Sequence, residues 1–164
     1  MEKILKPGDI LHCSGNRLIS KLIKKFTKSK FSHTALYLEI WGQPYVIDAQ
    51  KDGVNVRPIE EWKKKYNYSY TVSRDESLND DQKKEICKRA LSKTGHTAYD
   101  IESLLLRQPW KLITGKWKEV GDKQEKMYCS EFVAWVYQIP EYYKMSPEDL
   151  YNWCVRHSFT QYEF

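Results

Sequence analysis

The clearest helical pattern in the chain lies near its beginning. The segment NRLISKLIKKF, residues 16–26, places Leu18, Ile19, Leu22, Ile23 and Phe26 at helical spacing, and lysines fill much of the rest. Apolar residues at this spacing are typical of one face of an amphipathic helix. The pattern predicts a helix that packs its apolar face on the domain. A basic amphipathic helix also suits a membrane surface or the edge of a substrate site.

The hydrophobic pattern then changes to a period of two, which is typical of β-strands. In SHTALYLEI, for example, Leu36, Leu38 and Ile40 occupy alternate positions, and WGQP supplies the following turn. The predicted strands lie in LKPGDILHC, SHTALYLEI, YVIDAQ, DGVNVRPI and YNYSYTVS.

The second half of the chain favours helices. The predicted helices are residues 79–93, AYDIESLLL, YCSEFVAWVYQ and a last short helix that begins at SPED, with a loop over residues 111–127. The first has Asn79 or Asp80 as its cap, and Pro147 suits the first turn of the last. Strands early and helices late predict an α+β fold with helices packed on a mostly antiparallel sheet. The length favours a single domain over residues 1–164.

Composition adds a local basic region. The chain has 164 residues and a net charge of +5, and residues 16–30 contain no acidic side chain. Such a patch is commonly a solvated face, but it also suits phosphate or anionic lipid, so residues 16–30 are the candidate for peripheral membrane contact. No nucleic-acid partner is expected, because zinc-finger spacing is absent and the aromatic residues do not interleave with the basic run.

The four cysteines, Cys13, Cys87, Cys129 and Cys154, form no CxxC pair. This spacing argues against structural zinc and thioredoxin chemistry. No apolar run is long enough for a signal peptide or a transmembrane helix, so the sequence predicts a cytoplasmic protein with free thiols.

One cysteine stands where a helix is expected to begin. The stretch KMYCSEFVAWVY places Cys129 at the start of an apolar helix, where unpaired N–H groups and the helix dipole favour a thiolate. A nucleophilic thiol needs a base, and His33 opens a predicted strand where its ring can face a cleft. Asp48, the acid within the apolar strand YVIDA, is the candidate to orient that ring.

The turn between the two strands decides how His33 and Asp48 meet. A turn centred between Ile40 and Trp41 places them directly opposite each other. A turn at Trp41 and Gly42 offsets them by about two residues, which a bulge could absorb.

Each of the three residues also has a structural interpretation. A lone cysteine on an apolar helix is commonly a small buried hydrophobe, and an Asp near a turn often makes an Asx turn. A metal site built from His33, Asp48 and Cys129 is conceivable, but the ligands lack local pairing, so no metal and no cofactor are expected.

Six motifs together resemble a known family. LKPGDIL, FSHTALYLE, YVIDA, GVNVRPIEEW, AYDIESLLL and YCSEFVAWVY occur in the same order as in the permuted papain-fold cysteine peptidases of the NlpC type, with the YiiX-like branch most similar. The resemblance implies a circularly permuted papain-like fold, with Cys129 as nucleophile, His33 as base and Asp48 at the third polar position, where relatives carry Glu or His. It also implies that Tyr128 lines the active site, and Ser130 on the other side of the nucleophile is a further candidate for substrate or oxyanion binding.

The chemistry implied is hydrolysis of an amide bond, in a peptide, an isopeptide or a cell-wall-type substrate, through an acyl-enzyme. Two alternatives remain open. The first is a lipid-directed acyltransferase or phospholipase of the lecithin retinol acyltransferase type, and the second is a catalytically silent binding module. The sequence does not indicate an oligomeric state.

Overall fold

The structure is a computed structural model that describes residues 5–16, 18–66, 68–95, 114 and 127–163. Its centre is a six-stranded sheet in which every neighbouring pair is antiparallel, in the order β4-β3-β2-β1-β5-β6. The strands are β1 (Ile10–Ser14), β2 (His33–Ile40), β3 (Gln43–Gln50), β4 (Gly53–Pro58), β5 (Ser69–Arg74) and β6 (Thr160–Glu163).

Helices pack on both faces of this sheet. They are α1 (Leu18–Thr27), α2 (Ile59–Tyr66), α3 (Asp80–Leu91), α4 (Cys129–Val136) and α5 (Pro147–Arg156), with a short 3₁₀ turn at Tyr142–Lys144. The α+β class with a mostly antiparallel sheet is therefore confirmed. The predicted helix AYDIESLLL lies outside the described residues, as does most of the predicted loop 111–127.

Besides the 3₁₀ turn, two described elements were not predicted. Helix α2 is only eight residues long and buries just Ile59 and Trp62, so its periodic signal is weak. Acidic residues fill its first turn and lysines its last, an arrangement that the helix dipole favours. The other missed element, β6, is a four-residue edge strand without a fully buried residue.

The alternating pattern of the strands separates two apolar layers. Ile10, Leu36 and Ile47 face one side, where α4 packs with Phe132 and Val133. The other side carries a second layer, formed by Leu11, Cys13, Ala35, Tyr37, Val46, Ile59, Trp62 and Val72. Side chains of successive strand residues point to opposite faces, so residues of the second layer share their face with His33 and Asp48.

The hairpin between β2 and β3 turns at Trp41 and Gly42. Both residues have positive φ, 50° and 73°, and Ile40 pairs with Gln43. Two consecutive residues with positive φ make the type I′ turn that matches the twist of antiparallel strands. The turn fixes the register of the whole hairpin, including the pair Leu36 and Ile47.

Helix α1 packs on the domain as predicted, but two leucines of its apolar face point to solvent. Ile23 is buried, as expected of the apolar face, and packs with Tyr128. Leu18 and Leu22 instead remain 80% and 43% exposed. The helix therefore lies on the domain through Ile23, while Leu18 and Leu22 face solvent.

Candidate active site

His33 begins strand β2 at the edge of the second apolar layer. It pairs in register with Cys13 of β1, and the N–H of the preceding Ser32 donates to the carbonyl of Cys13 over 2.8 Å. The residue is 4% exposed, so its imidazole is held almost entirely within the protein.

Asp48 lies next to this imidazole. Nε2 of His33 is 2.7 Å from Oδ2 of Asp48. The hairpin turns at Trp41 and Gly42, so the two residues are offset by two positions and meet diagonally across β2 and β3. Diagonal neighbours of a sheet are within reach of long side chains. The contact between His33 and Asp48 therefore forms without a bulge in either strand.

The Asp48 carboxylate is completely buried and gathers polar partners. Oδ2 also accepts from Trp62 Nε1 over 2.9 Å and from Gln50 Nε2 over 2.7 Å. Arg57 Nη1 lies 3.4 Å from the other oxygen, Oδ1. A buried carboxylate is costly unless it is paired and hydrogen-bonded, and these partners meet that requirement.

The pKa values of the pair move apart. Burial raises the pKa of Asp48, but the hydrogen bonds from His33, Trp62 and Gln50 and the charge of His33 outweigh it, so the net shift is downward. Burial lowers the pKa of His33, yet Tyr68 and Cys129, with hydrogen bonds to Asp48 and Cys129, raise it well above its ordinary value. The arrangement therefore favours an imidazolium beside a carboxylate.

Cys129 is the first residue of α4 and lies close enough to the His33 ring to contribute to its raised pKa. Since Nε2 of the ring already binds Asp48, Nδ1 is the nitrogen left for the thiol. The helix leaves its first N–H groups without intrahelical acceptors, which places positive potential at the sulfur. The three residues that the sequence proposed as a triad are therefore brought together.

A second thiol nearby serves as a contrast. Cys13 is completely buried and donates to the carbonyl of Leu11 over 3.5 Å. Burial raises the pKa of Cys13 far above its ordinary value, although His33 lowers it somewhat. Proximity to the histidine alone therefore does not activate a thiol at this site.

The comparisons with known proteins agree with this geometry. Residues 4–106 match the family described as "Permuted papain-like amidase enzyme, YaeF/YiiX, C92 family", which is more than half of the chain. The chain belongs to this family of permuted papain-like amidases. The circularly permuted papain-like fold and the YiiX-like assignment are thereby confirmed. His33 and Asp48 lie within the matched residues, whereas Cys129 follows them.

A solved structure supports the same assignment. The chain resembles the crystal structure of the metalloprotein yiiX from Escherichia coli O157:H7 with 26% identity and a TM-score of 0.63. The similarity covers 81% of this chain and 64% of that one, so the chain spans less than two thirds of the length of yiiX. No curated protein matches the chain.

The residues around Asp48 do not suit a metal ion. The guanidinium of Arg57 lies against one carboxylate oxygen, and three N–H donors occupy the other. A cation at this position would meet an existing positive charge and would displace hydrogen bonds. Within the described ranges, no group of three or more His, Cys, Asp or Glu side chains is arranged to hold a metal ion.

Tyr128 and Ser130 flank Cys129 and are both buried. The Tyr128 hydroxyl donates to the carbonyl of Tyr143 over 3.1 Å, and the Ser130 hydroxyl donates to that of Met145 over 2.7 Å. These bonds fix the start of α4 against the following segment. Their role in substrate or oxyanion binding stays a prediction, and their hydroxyl protons already have acceptors.

Sequence reasoning missed four residues around the imidazole and the carboxylate: Gln50, Arg57, Trp62 and Tyr68. Tyr68 stacks on the His33 ring with centroids 5.4 Å apart and an interplanar angle of 24°. The signal for Gln50 was available, because it lies two residues after Asp48 on the same face of β3. The contribution of Trp62 depends on α2, which was not predicted.

One glycine allows the histidine, its stacking tyrosine and α1 to come close together. A Cβ at Gly15 would lie 2.8 Å from Cε1 of Tyr68 and 2.6 Å from Oγ of Ser20. Neither distance is compatible with a side chain there. Gly15 also donates its N–H to the hydroxyl of Ser32, next to His33, over 2.9 Å.

Proposed function

We propose that the enzyme hydrolyses an amide bond through a Cys129–His33–Asp48 triad and an acyl-enzyme, with a peptide, an isopeptide or a cell-wall-type amide as substrate. One observation carries the proposal above all. The buried His33–Asp48 pair, 2.7 Å between Nε2 and Oδ2, leaves Nδ1 of the same ring for a thiol at a helix N-terminus. The family, described as amidase enzymes, supports the same reaction class.

The reaction follows from the positions of the groups. Nδ1 of His33 takes the thiol proton, and Sγ of Cys129 attacks the carbonyl carbon of the amide. The backbone N–H of Cys129 donates to the oxyanion. The imidazolium then gives its proton to the leaving amine as the C–N bond breaks. Water, deprotonated by His33, cleaves the thioester and releases the carboxylic acid and the thiol.

Asp48 contributes by keeping its charge. Its lowered pKa means that it stays ionised beside the imidazolium rather than taking the proton. The raised pKa of His33 suits the ring to take the thiol proton and hold it while Cys129 attacks.

The experiment is a panel of peptide, isopeptide, cell-wall-type amide and lipid acyl ester substrates. Cys129→Ala is expected to abolish turnover on the true substrate, while Cys87→Ser on α3 keeps it. Intact-mass measurement of the wild type with a slow substrate should show an adduct that Cys129→Ala lacks. Full turnover by Cys129→Ala would contradict the proposal.

A lipid-directed acyl transfer is the second candidate, and it uses the same nucleophile on an ester. The exposed leucines of α1 are the observation that favours it. Turnover of acyl esters with no turnover of any amide in the panel would decide for this candidate.

A silent binding module is the remaining alternative. A mild thiol electrophile at about pH 6 separates it from an enzyme, because only an activated thiolate reacts quickly there. Cys129 is expected to react much faster than Cys13. Equal rates for the two would favour the module. The four free thiols suit a reducing compartment, so a cytoplasmic location is part of the proposal.

A further inference from the structure

The outer face of helix α1 exposes large apolar side chains between lysines. Leu18 is 80% exposed and Leu22 is 43% exposed. Lys21 and Lys25 are also exposed, and the four positions follow the i, i+3, i+4, i+7 spacing of a single helical face. This face therefore presents leucine and lysine together to solvent, which a merely solvated helix does not require.

The orientation of α1 is fixed by contacts on its opposite face. Ile23 packs with Tyr128, and Nζ of Lys24 lies 3.2 Å from the hydroxyl of Ser14 at the end of β1. Ser20 approaches Gly15 so closely that no side chain fits there. Because these contacts hold the helix in place, the leucines are not exposed by a freely rotating helix.

The same contacts place α1 beside the candidate active site. Tyr128, which Ile23 touches, directly precedes Cys129. Gly15, which Ser20 touches, is also in close approach to Tyr68, the ring that stacks on His33. Helix α1 therefore reaches Cys129 through Tyr128, and it reaches His33 through Gly15 and Tyr68.

The charge within residues 16–30 has one sign, and the Glu148 carboxylate of α5 accepts hydrogen bonds from Ser29 and from the N–H of Lys30 beyond the end of the helix. Residues 16–30 contain lysines and an arginine but no acidic side chain, and Lys28 and Lys30 are exposed just beyond the helix. An anionic surface attracts each nearby basic residue, and interfacial helices bury apolar side chains at the boundary between headgroups and acyl chains.

We propose that helix α1 docks the enzyme on an anionic lipid surface, with Leu18 and Leu22 inserted and the lysines on the headgroups. Lipid fits this face better than a protein groove, because a groove would have to cover the lysines that lie between the leucines. Docking would set the candidate active site at the membrane interface, where substrates held in or on the bilayer are concentrated. The proposal goes beyond the amide hydrolysis and does not depend on it. No described helix is long and apolar enough to cross a bilayer, so the contact proposed is peripheral.

The test is flotation with phosphatidylglycerol-containing vesicles, with pure phosphatidylcholine vesicles alongside. The full chain should float with the anionic vesicles and lose binding as salt rises. Lys21→Gln/Lys25→Gln should weaken binding by roughly 25-fold, at about fivefold for each lysine near the surface. Leu18→Ser/Leu22→Ser should weaken it by at least about tenfold, since two apolar side chains no longer leave water.

Matched variants elsewhere on the surface serve as controls. Trp41→Ser/Leu91→Ser removes side chains that are 97% and 38% exposed, and Lys51→Gln/Lys64→Gln removes two exposed lysines. Both pairs should bind vesicles like the wild type. Cys129→Ser should also bind like the wild type, so a failure of the proposed hydrolysis would leave this result unchanged.

Three outcomes would overturn the proposal. The first is an absence of binding to anionic vesicles at low salt. The second is equal weakening by the control pairs. The third is a concentration-dependent dimer that Leu18→Ser/Leu22→Ser abolishes while vesicles are ignored, which would assign this face to a second copy of the chain.

Discussion

Two buried histidines on neighbouring strands behave in opposite ways. His12 of β1 is completely buried, and burial lowers its pKa to about 3. His33 of β2 is almost as buried, yet its pKa is raised well above the ordinary value. Burial is thus shared by the two sites, and the difference lies in what each ring touches.

The partner of His12 is neutral. Its Nε2 is 2.9 Å from the hydroxyl of Ser73, which donates its own proton to Oε1 of Gln161 over 2.7 Å. Nε2 must therefore be the donor, and because the pKa of His12 is lowered to about 3 the ring is neutral at pH 7. Within the part of the chain that the structure describes, Nδ1 has no hydrogen-bond partner. Phe31 and Tyr151 surround the ring and supply no charge.

His33 has a carboxylate instead, and that carboxylate is itself held ionised by three N–H donors and the nearby guanidinium. A charged partner at hydrogen-bond distance reverses the effect of burial on an imidazole. The comparison teaches that Tyr68, Cys129 and Asp48 around the ring, rather than the strand position or the depth of His33, raise the pKa of this histidine.

The largest expected effect comes from removing the charge of Asp48. Asp48→Asn leaves the imidazolium of His33 without its counter-charge, so the pKa of His33 should fall toward that of His12. We expect kcat/KM to drop by about 10⁴-fold, as in known triads that lose the charge of this group. The upper limb of the pH profile should move to lower pH, because the imidazolium is lost sooner.

Asp52→Asn is the matched control for this charge removal. Asp52 pairs with the same Arg57 over 3.0 Å, is 52% exposed at its side chain and has no contact with His33. Activity and pH profile should stay within about twofold of the wild type, since exposed pairs contribute little. Similar losses in both variants would mean that the effect reflects Arg57 and not the charge beside His33.

A smaller effect should follow from disturbing the ring that stacks on His33. Gly15→Ala places a methyl group 2.8 Å from Tyr68 and 2.6 Å from the Ser20 hydroxyl. Overpacking of this kind costs about 1–3 kcal/mol of unfolding free energy. We expect kcat to fall by about tenfold, because a small displacement of a catalytic ring is costly.

Gly42→Ala is the control that distinguishes loss of stability from loss of activity. Gly42 has φ of 73° and open space around it, so alanine there adds backbone strain of about 1–2 kcal/mol without a clash. Thermal unfolding should show destabilisation in both variants, while only Gly15→Ala loses activity. Equal activities would show that Tyr68 does not position His33.

The sequence predicts most of the fold and the identity of the three polar residues. Alternation within β2 and β3 and the helix-start position of Cys129 are local signals. The contrast between His12 and His33 is not local, because both histidines lie in short apolar strands. The site of His33 depends on Trp62, which donates to Asp48 from a short helix with only two buried positions. It also depends on the turn at Trp41, which sets the register between β2 and β3. The outward leucines of α1 were also out of reach, since periodicity gives the width of an apolar face but not which part is covered.

The smallest expected effect, and the one that isolates His12, concerns stability against acid. The pKa of His12 is lower in the folded protein than in the unfolded chain, so between about pH 6.5 and 3 the unfolded chain binds the extra proton. Stability is lost as pH falls, by about 1.4 kcal/mol per pH unit for this group. His33 acts in the opposite sense: its contribution is fully present below about pH 6.5 and is lost as pH rises through its raised pKa.

His12→Phe should remove the acid-sensitive part and keep an aromatic ring between Phe31 and Tyr151. At pH 7 the variant should be less stable by about 1 kcal/mol, because the hydrogen bond to Ser73 is lost. At pH 4.5 the variant should be more stable than the wild type by about 1–2 kcal/mol. Between about pH 6.5 and 4.5 the wild type loses about 1.4 kcal/mol of stability per pH unit, which exceeds the stability that the variant loses with the hydrogen bond. Chemical denaturation at both pH values measures the crossover, and activity at pH 7 should be unchanged. Parallel stability curves would show that burial does not lower the pKa of His12, and the contrast between the two histidines would then not hold.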